Sequence, residues 1–381
     1  MSAALETATE LLPVYPPPRV TFVEGDGVWL CDDVGRRYLD FAGGIAVVAL
    51  GHRHPAPLAA AQAQLHRLWH VSNLFATPPA AELARRLSAR FGGAQAFFCN
   101  SGAEANEAAV KYARKATGKP GVLALEQGFH GRTTGSLAIT GQAAKRAAFA
   151  PLLPGARFAR PNDVQSLHAA AGENVGLVLL EPVLGEGGVI PLEPPFVAAA
   201  AALAQELGAL LAFDEVQTGI GRTGTFFAFE QLGVRPQLVT LAKALANGLP
   251  IGCLLVADDA AGAFSPGDHG STFGGNPVVC AAAAAVCDTI DDELLQHVRT
   301  AGERLAAGLR RLPRVVEVRG RGLLLGAQLD GEAQPLVDAA LNLGLVCLTS
   351  GPNVLRLAPP LVVCDAEIDR ALEILAEVAN A

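Results

Sequence analysis

No run of basic residues interrupts this chain of 381 residues, in which 29 Lys and Arg stand against 37 Asp and Glu for a net charge of -8. A protein that tracks a phosphate backbone needs clustered cations, so nucleic acid is not an expected partner. Charge of either sign is scarce at 17% of residues, while hydrophobic residues reach 51%. That balance rules out a disordered chain and implies much surface hidden inside domains or against another subunit. No uncharged apolar stretch has the length to span a bilayer: the alanine-rich run from Val278 to Val286 is too short. Glu6 and Glu10 precede any apolar run, unlike a signal peptide. The cytoplasm is therefore the expected compartment, and no membrane is an expected partner. The cysteines (Cys31, Cys99, Cys253, Cys280, Cys287, Cys347 and Cys364) form no C-x-x-C pair and read as reduced core thiols. Cys280 and Cys287 lie on one helical face, where packing is a better account than metal binding. No metal site is expected.

The length exceeds what one ordinary core supports, so two domains are expected. The first ~20 residues, with Pro13 and Pro16 to Pro18, read as an irregular arm. Short strands follow at Val28 to Cys31 and Arg37 to Leu39, around an Asp33 to Gly35 turn. From Pro55 onward, helical stretches (Leu58 to Trp69, Ala80 to Phe91, Ala103 to Ala116, Phe196 to Leu207) alternate with short apolar runs. Those runs are Ala96 to Cys99, Val122 to Leu125, Gly176 to Leu180, Ala209 to Phe213, Leu238 to Leu241 and Cys253 to Val256. Alternation of this kind predicts α/β layering on a largely parallel sheet. After Pro277 a long alanine-rich helix is expected to lead into strands Val315 to Val318 and Gly322 to Leu329. Amphipathic helices Ala333 to Leu343 and Ala366 to Ala376 follow. The expected division is 1–54 as arm and part of a small domain, 55–279 as the large domain, and 280–381 as the rest of a smaller α+β domain.

Four segments carry the chemistry. Apolar Ala209 to Phe213 runs into Asp214-Glu215-Val216-Gln217, which puts acids at the carboxyl end of a buried strand, the edge where ligands sit in open α/β sheets. Lys243 ends another apolar run, in Thr-Leu-Ala-Lys-Ala-Leu-Ala-Asn-Gly; poor solvation there favours a neutral, nucleophilic amine, although alone such a lysine is more often a snorkelling one. Asn100-Ser101-Gly102-Ala103-Glu104 joins a strand to a helix with capping-box spacing, and Gly102 lets backbone N–H groups approach an anion; alone it is a well-capped helix. Gly128-Phe129-His130-Gly131-Arg132 presents an aromatic ring, an imidazole and a guanidinium in one turn.

In this order the four segments resemble the fold-type I enzymes of pyridoxal 5'-phosphate (PLP), and in wording the class III aminotransferases, most closely the acetylornithine branch. The likeness extends from Phe41-Ala42-Gly43-Gly44 through Gly185-Glu186-Gly187-Gly188 and Gly270-Ser271-Thr272-Phe273-Gly274 to Arg356. It implies a large domain with a mostly parallel central sheet and a smaller α+β domain. It also implies a homodimer with shared active sites. Lys243 would carry PLP covalently and act as base and acid, and Asp214 would pair with the ring nitrogen. Val216 and Phe129 would sandwich the ring, with Gln217 near its phenolic oxygen. The backbone at Ser101, Gly102 and Ala103 would hold the phosphate, and Thr272 would arrive from the neighbouring subunit. Arg132, Glu186, Arg356 and Ser271 would bind substrate, Glu186 masking Arg356 in one half-reaction and releasing it in the other.

The implied reaction moves an ω-amino group from an N-acylated diamino acid, N2-acetylornithine first, to 2-oxoglutarate. Succinylornithine, succinyl-diaminopimelate, 4-aminobutyrate and a carrier-linked lysine precursor are the alternatives. Ile45 stands where ornithine aminotransferases carry tyrosine, which weighs against free ornithine. Two other readings start from different features. Gly219-Ile220-Gly221-Arg222-Thr223-Gly224 spells a dinucleotide fingerprint but needs a helix after it. PLP racemases and mutases share Lys243 and Asp214, and amino transfer to 2-oxoglutarate separates them from this reading.

Overall fold

The computed structural model describes residues 11–380. Residues 1–10 of the expected arm, Glu6 and Glu10 among them, lie outside the described residues; 11–20 are irregular. Seven strands form the central sheet, in the order Ala94–Cys99, Gly252–Ala257, Leu238–Leu241, Leu210–Asp214, Val175–Leu180, Gly121–Leu125, Ala156–Ala159. Gly252–Ala257 runs antiparallel to both neighbours, and the other pairings are parallel. Every residue of Val175–Leu180 and of Gly252–Ala257 is buried, as a sheet covered on both faces requires. The helix Gly102–Thr117 covers one face with Ala105, Ala108, Ala109 and Tyr112, an i, i+3, i+4, i+7 stripe, and stops at Gly118 in the left-handed conformation with φ 69°. Because the strands are mostly parallel, the turns after Cys99, Leu125, Leu180, Asp214 and Leu241 open on one edge of the sheet.

Two smaller sheets flank this layer. Phe22–Asp26, Trp29–Asp32 and Arg37–Asp40 form an antiparallel meander, and Leu345–Val346 adds to it in parallel beside Arg37–Asp40. Val315–Arg321, Leu324–Leu329, Val354–Leu357 and Leu348–Thr349 form the other, packed with helices Asp292–Leu309, Gln334–Asn342 and Asp365–Asn380. Among the described residues, no helix is long and apolar enough to cross a membrane.

Several expectations are corrected. The helix expected to reach Trp69 is Pro55–Leu65; past it, Gln64 Nε2 donates to the Leu68 carbonyl at 2.9 Å and Trp69 Nε1 to that of Leu65 at 2.7 Å, tightening the chain into turns. The long helix after Pro277 is two, Pro277–Thr289 and Asp292–Leu309, because the Asp291 side chain accepts from Leu294 N at 2.8 Å and caps a new start. Ala156–Ala159 has no counterpart among the expected strands, because exposed Arg157 interrupts the apolar run on this edge of the sheet and only Ala159 is buried. Of the thiols, Cys364 is exposed and Cys31 half-buried, so the core reading holds only for the other five, all buried.

Candidate active site

The carboxyl edge of the sheet encloses a cavity of about 420 Å³ lined by Ser101, Gly102, Ala103, Asn106, Phe129, His130, Arg132, Glu181, Glu186, Asp214, Val216, Gln217 and Lys243. At its floor the buried Asp214 ends its strand. Its Oδ2 accepts from His130 Nδ1 at 2.7 Å and Asn106 Nδ2 at 2.8 Å, and its Oδ1 accepts from Val216 N at 3.0 Å. Thr240 Oγ1 donates to Asn106 Oδ1 at 2.8 Å, which fixes the amide so that its NH₂ faces the carboxylate. Burial alone would lower the pKa of His130, but the hydrogen bond and charge of Asp214, with the charge of Glu181, outweigh it and hold the imidazole above the ordinary histidine value. The Glu181 carboxyl, in turn, is pushed up to about 7 by burial, with the charge of His130 opposing.

Lys243 opens the 3-10 turn Lys243–Ala246 directly beyond the strand Leu238–Leu241. Its φ of 41° lies in the left-handed region that side-chain-bearing residues rarely adopt, a strain kept where surrounding structure holds the residue in place. Burial lowers the pKa of its amine; Glu186, Asp214 and Glu181 oppose that and Arg356 adds to it.

At the other end of the cavity Ser101 caps the helix, its Oγ accepting from Glu104 N at 3.2 Å. Glu104 differs from a simple capping box: its Oε2 reaches Asn100 N at 2.7 Å, one residue beyond the cap. The first-turn N–H groups of Gly102 and Ala103 have no intrahelical acceptor by construction, and both residues line the cavity, the arrangement an anion cradle requires. A Cβ at Gly102 would sit 2.7 Å from a Val216 methyl, so only glycine lets the helix start meet the Val216 wall.

The rim carries the ion pair. Gly185–Val189 forms the tip of the hairpin Val183–Leu184/Ile190–Pro191. Glu186 there pairs with the buried Arg356, which also donates to the Gly185 carbonyl at 3.0 Å. Burial works to raise the pKa of Glu186, and the charge and hydrogen bond of Arg356 overcome it and leave it below the usual carboxylate range. Ser350, buried, donates to Gly185 O at 2.9 Å and accepts from Gly188 N at 2.8 Å, while Arg319 Nε donates to Gly188 O at 2.7 Å. The backbone on either side of Glu186 is thus held by the flanking sheet, while its carboxylate, paired with Arg356, also accepts from Gln217 Nε2 at 3.3 Å.

Ser271 and Thr272 do not line this cavity. Thr272 is exposed in a neighbouring hollow with His70 and Asn73, and Ser271 Oγ accepts from Asn100 Nδ2 at 3.2 Å. Gly219 to Gly224 lies in turns and opens no helix, so the dinucleotide spelling has no structural counterpart.

The chain matches the family model described as aminotransferase class-III over residues 13–379. This protein belongs to the class III aminotransferases. It is 48% identical to the acetylornithine aminotransferase of Corynebacterium efficiens, over 97% of this chain and 94% of that one. The N-acetylornithine aminotransferase structure from Stenotrophomonas maltophilia superposes with a TM-score of 0.84 at 37% identity, covering 96% of each chain. An ornithine aminotransferase structure from Toxoplasma gondii, with PLP at partial occupancy in its active site, gives 0.92 at 30% identity, covering 97% of this chain and 91% of that one. The class III family is PLP-dependent and moves amino groups between small molecules, so this chain is a transaminase. The residues present fit that cofactor: a cradle at a helix start, a buried carboxylate at the far end, a lysine between them, and two buried polar atoms, Gln217 Oε1 and His130 Nε2, that lack a protein partner. Asn106, His130 and Glu181 complete the floor without having been assigned roles from sequence; Glu181, directly after an apolar strand, carries the same signal that singled out Asp214.

Proposed function

We propose that this class III aminotransferase takes the ω-amino group of an N-acylated diamino acid, N2-acetylornithine first, and delivers it to 2-oxoglutarate. The observation that carries the reading is the placement in one cavity of Lys243, the Asp214 floor, the Ser101–Ala103 cradle and Glu186, whose ion-pair partner Arg356 is buried outside that lining, a pair suited to hide or expose one guanidinium. PLP, when bound, supplies an electron sink next to the reacting carbon. Ser101, Gly102 and Ala103 would hold its phosphate, Phe129 and Val216 would flank its ring, and Gln217 would meet its phenolic oxygen. Asp214, braced by His130 and Asn106, would keep the proton on its ring nitrogen. The Lys243 amine, its pKa lowered by burial, would tether it covalently and then carry the proton between the two carbon positions. Arg132 would take the donor's remote carboxylate.

The homologues named acetylornithine aminotransferase support the choice of donor. A panel with 2-oxoglutarate as the common acceptor tests it: N2-acetylornithine is expected to give the highest kcat/KM, above its succinyl analogue, succinyl-diaminopimelate, 4-aminobutyrate and ornithine. A higher value for any of these would move the assignment to that donor. The exposed apolar side chains Trp69, Leu74, Phe75 and Phe273 around Thr272 support a second copy of the chain on this face, with Thr272 and Ser271 completing the partner's site.

Arg356 should be masked while an ω-amino donor is bound and bare while glutamate is bound. Glu186→Ala is therefore expected to slow the ω-amino half-reaction by roughly tenfold, the size of a lost charge-assisted contact, and to spare or favour the glutamate half. Arg356→Ala should do the reverse. Single-turnover absorbance changes of each half-reaction separate the two. Equal slowing of both halves by Glu186→Ala would reduce the pair to a structural one.

A further inference from the structure

The Phe129 ring, one wall of the cavity, has two cations over it: Arg132 Cζ at 5.7 Å and Lys145 Nζ at 5.6 Å from the ring centroid. Arg132 reaches it from the same turn, whereas Lys145 comes from the separate short helix Ala143–Ala147. We propose that Lys145 is a second anion-binding group beside Arg132, gripping the carboxylate that an ω-amino donor carries at the end remote from its reacting amine. This rests on the reading that the cavity takes such donors.

Lys145 is half-buried, and its polar contact is neutral: it donates to Gln142 Oε1, and Gln142 is itself held by a 3.0 Å bond from its Nε2 to the Gln127 carbonyl. An ammonium has three donors, so this contact aims the side chain and leaves two of them free. Lys115 pairs with Asp268 and Arg86 with Asp288, whereas among the described residues Lys145 and Arg132 belong to the cations without an ion-pair partner, and they are the two that lie over the Phe129 wall. Glu186, the nearby acid at the rim, is already committed to Arg356. Burial and the charges of Arg132 and Arg356 hold the pKa of Lys145 below the ordinary lysine value against the pull of Glu186. A half-buried cation among like charges with no counter-ion is costly, and an arriving carboxylate removes the cost. The two groups divide the work by shape. Arginine's planar fork takes one edge of a carboxylate, and a lysine, as a compact point charge on a flexible stem, can address the lone pairs the fork leaves free. The pair would thus select donors that bear a carboxylate over otherwise identical amines.

The test uses the holoenzyme, Lys145→Gln and Lys145→Arg, and donors in pairs that differ only in the carboxylate: N2-acetylornithine against N-acetylputrescine, and 4-aminobutyrate against propylamine. Lys145→Gln is expected to lower kcat/KM for the carboxylated member of each pair roughly tenfold, mostly through KM, as the loss of one charge-assisted hydrogen bond would. The partner lacking the carboxylate should change less than about twofold, and Lys145→Arg should restore most of the loss. Calorimetry with the unreactive N-acetylnorvaline and with N-butylacetamide reads the same contrast without turnover. An equal change in both members of a pair, or unaltered affinity for N-acetylnorvaline, overturns the assignment. Should wild type prefer a donor other than N2-acetylornithine, the proposed substrate fails while the contrast within each pair still decides the role of Lys145.

Discussion

Lys243→Ala is expected to lower amino transfer by about 10⁴-fold or more, the upper range for a lost general acid–base group, with the loss of covalent tethering added to it. Among the described residues Lys243 is the only lysine in the cavity lining, and Lys145, over the Phe129 wall, is assigned to the remote carboxylate and not to the reacting carbon. Alanine keeps the Cβ that makes φ 41° strained, so the substitution neither relieves nor adds backbone strain, and it leaves no buried amine behind. The variant should retain wild-type secondary structure by circular dichroism, and a small primary amine such as methylamine should recover part of the rate. Turnover above about one-hundredth of wild type, without added amine, would mean that another group carries the proton.

Asp214→Asn should cost about 10²-fold or more in kcat, the size typical of a removed, preorganised charge. Its consequences reach beyond the cofactor. Asp214 Oδ2 accepts from two buried donors, His130 Nδ1 and Asn106 Nδ2, and an amide at 214 cannot match the carboxylate toward both. The sign of the pH effect follows from His130. Its folded pKa is raised above the unfolded value of about 6.5, so its stabilising contribution is complete below that value and is lost as pH rises through the folded one. The variant lacks the partner that raises it. The gap in Tm between wild type and Asp214→Asn is therefore expected to be wider near about pH 6 than near about pH 9. Equal gaps would show that His130 does not bind its proton through Asp214.

The parts of this site that the sequence discloses are those written locally. Asp214 and Lys243 each end an apolar run, and Ser101 and Glu104 keep helix-start spacing, so a parallel sheet must bring them to one edge. Asn106 is one helical turn beyond Gly102, and only the docking of that helix on the sheet shows which of its faces meets the Asp214 carboxylate. Ser350 and Arg319 are more than a hundred residues from the Glu186 hairpin tip that they hold, and no periodicity announces a contact of that kind. Thr272 lies outside the cavity of its own chain, so its position alone gives it no role there. The edge strand Ala156–Ala159 has its apolar run broken by exposed Arg157, and the two-residue strand Leu345–Val346 is too short to leave a pattern, so their place is set by the strands they join.

That last short strand bears on how the molecule comes into being. Leu345 pairs beside Leu39 and Val346 beside Asp40, so the meander near the start of the chain is finished by residues made some three hundred positions later. Trp29 Nε1 likewise waits for Glu367, 3.0 Å away in the finished protein. At about 5–20 residues per second of synthesis, the early hairpins spend roughly 15–60 s on the ribosome with an open edge, while the central sheet can assemble meanwhile. An unpaired edge of that duration is a template for wrong partners. The waiting edge, Arg37–Asp40, is blunted by its length of four residues and by a charged residue at each end. Nascent chains stalled before residue 345 should accordingly be cut by protease in the meander, and chains released after the last helix should not.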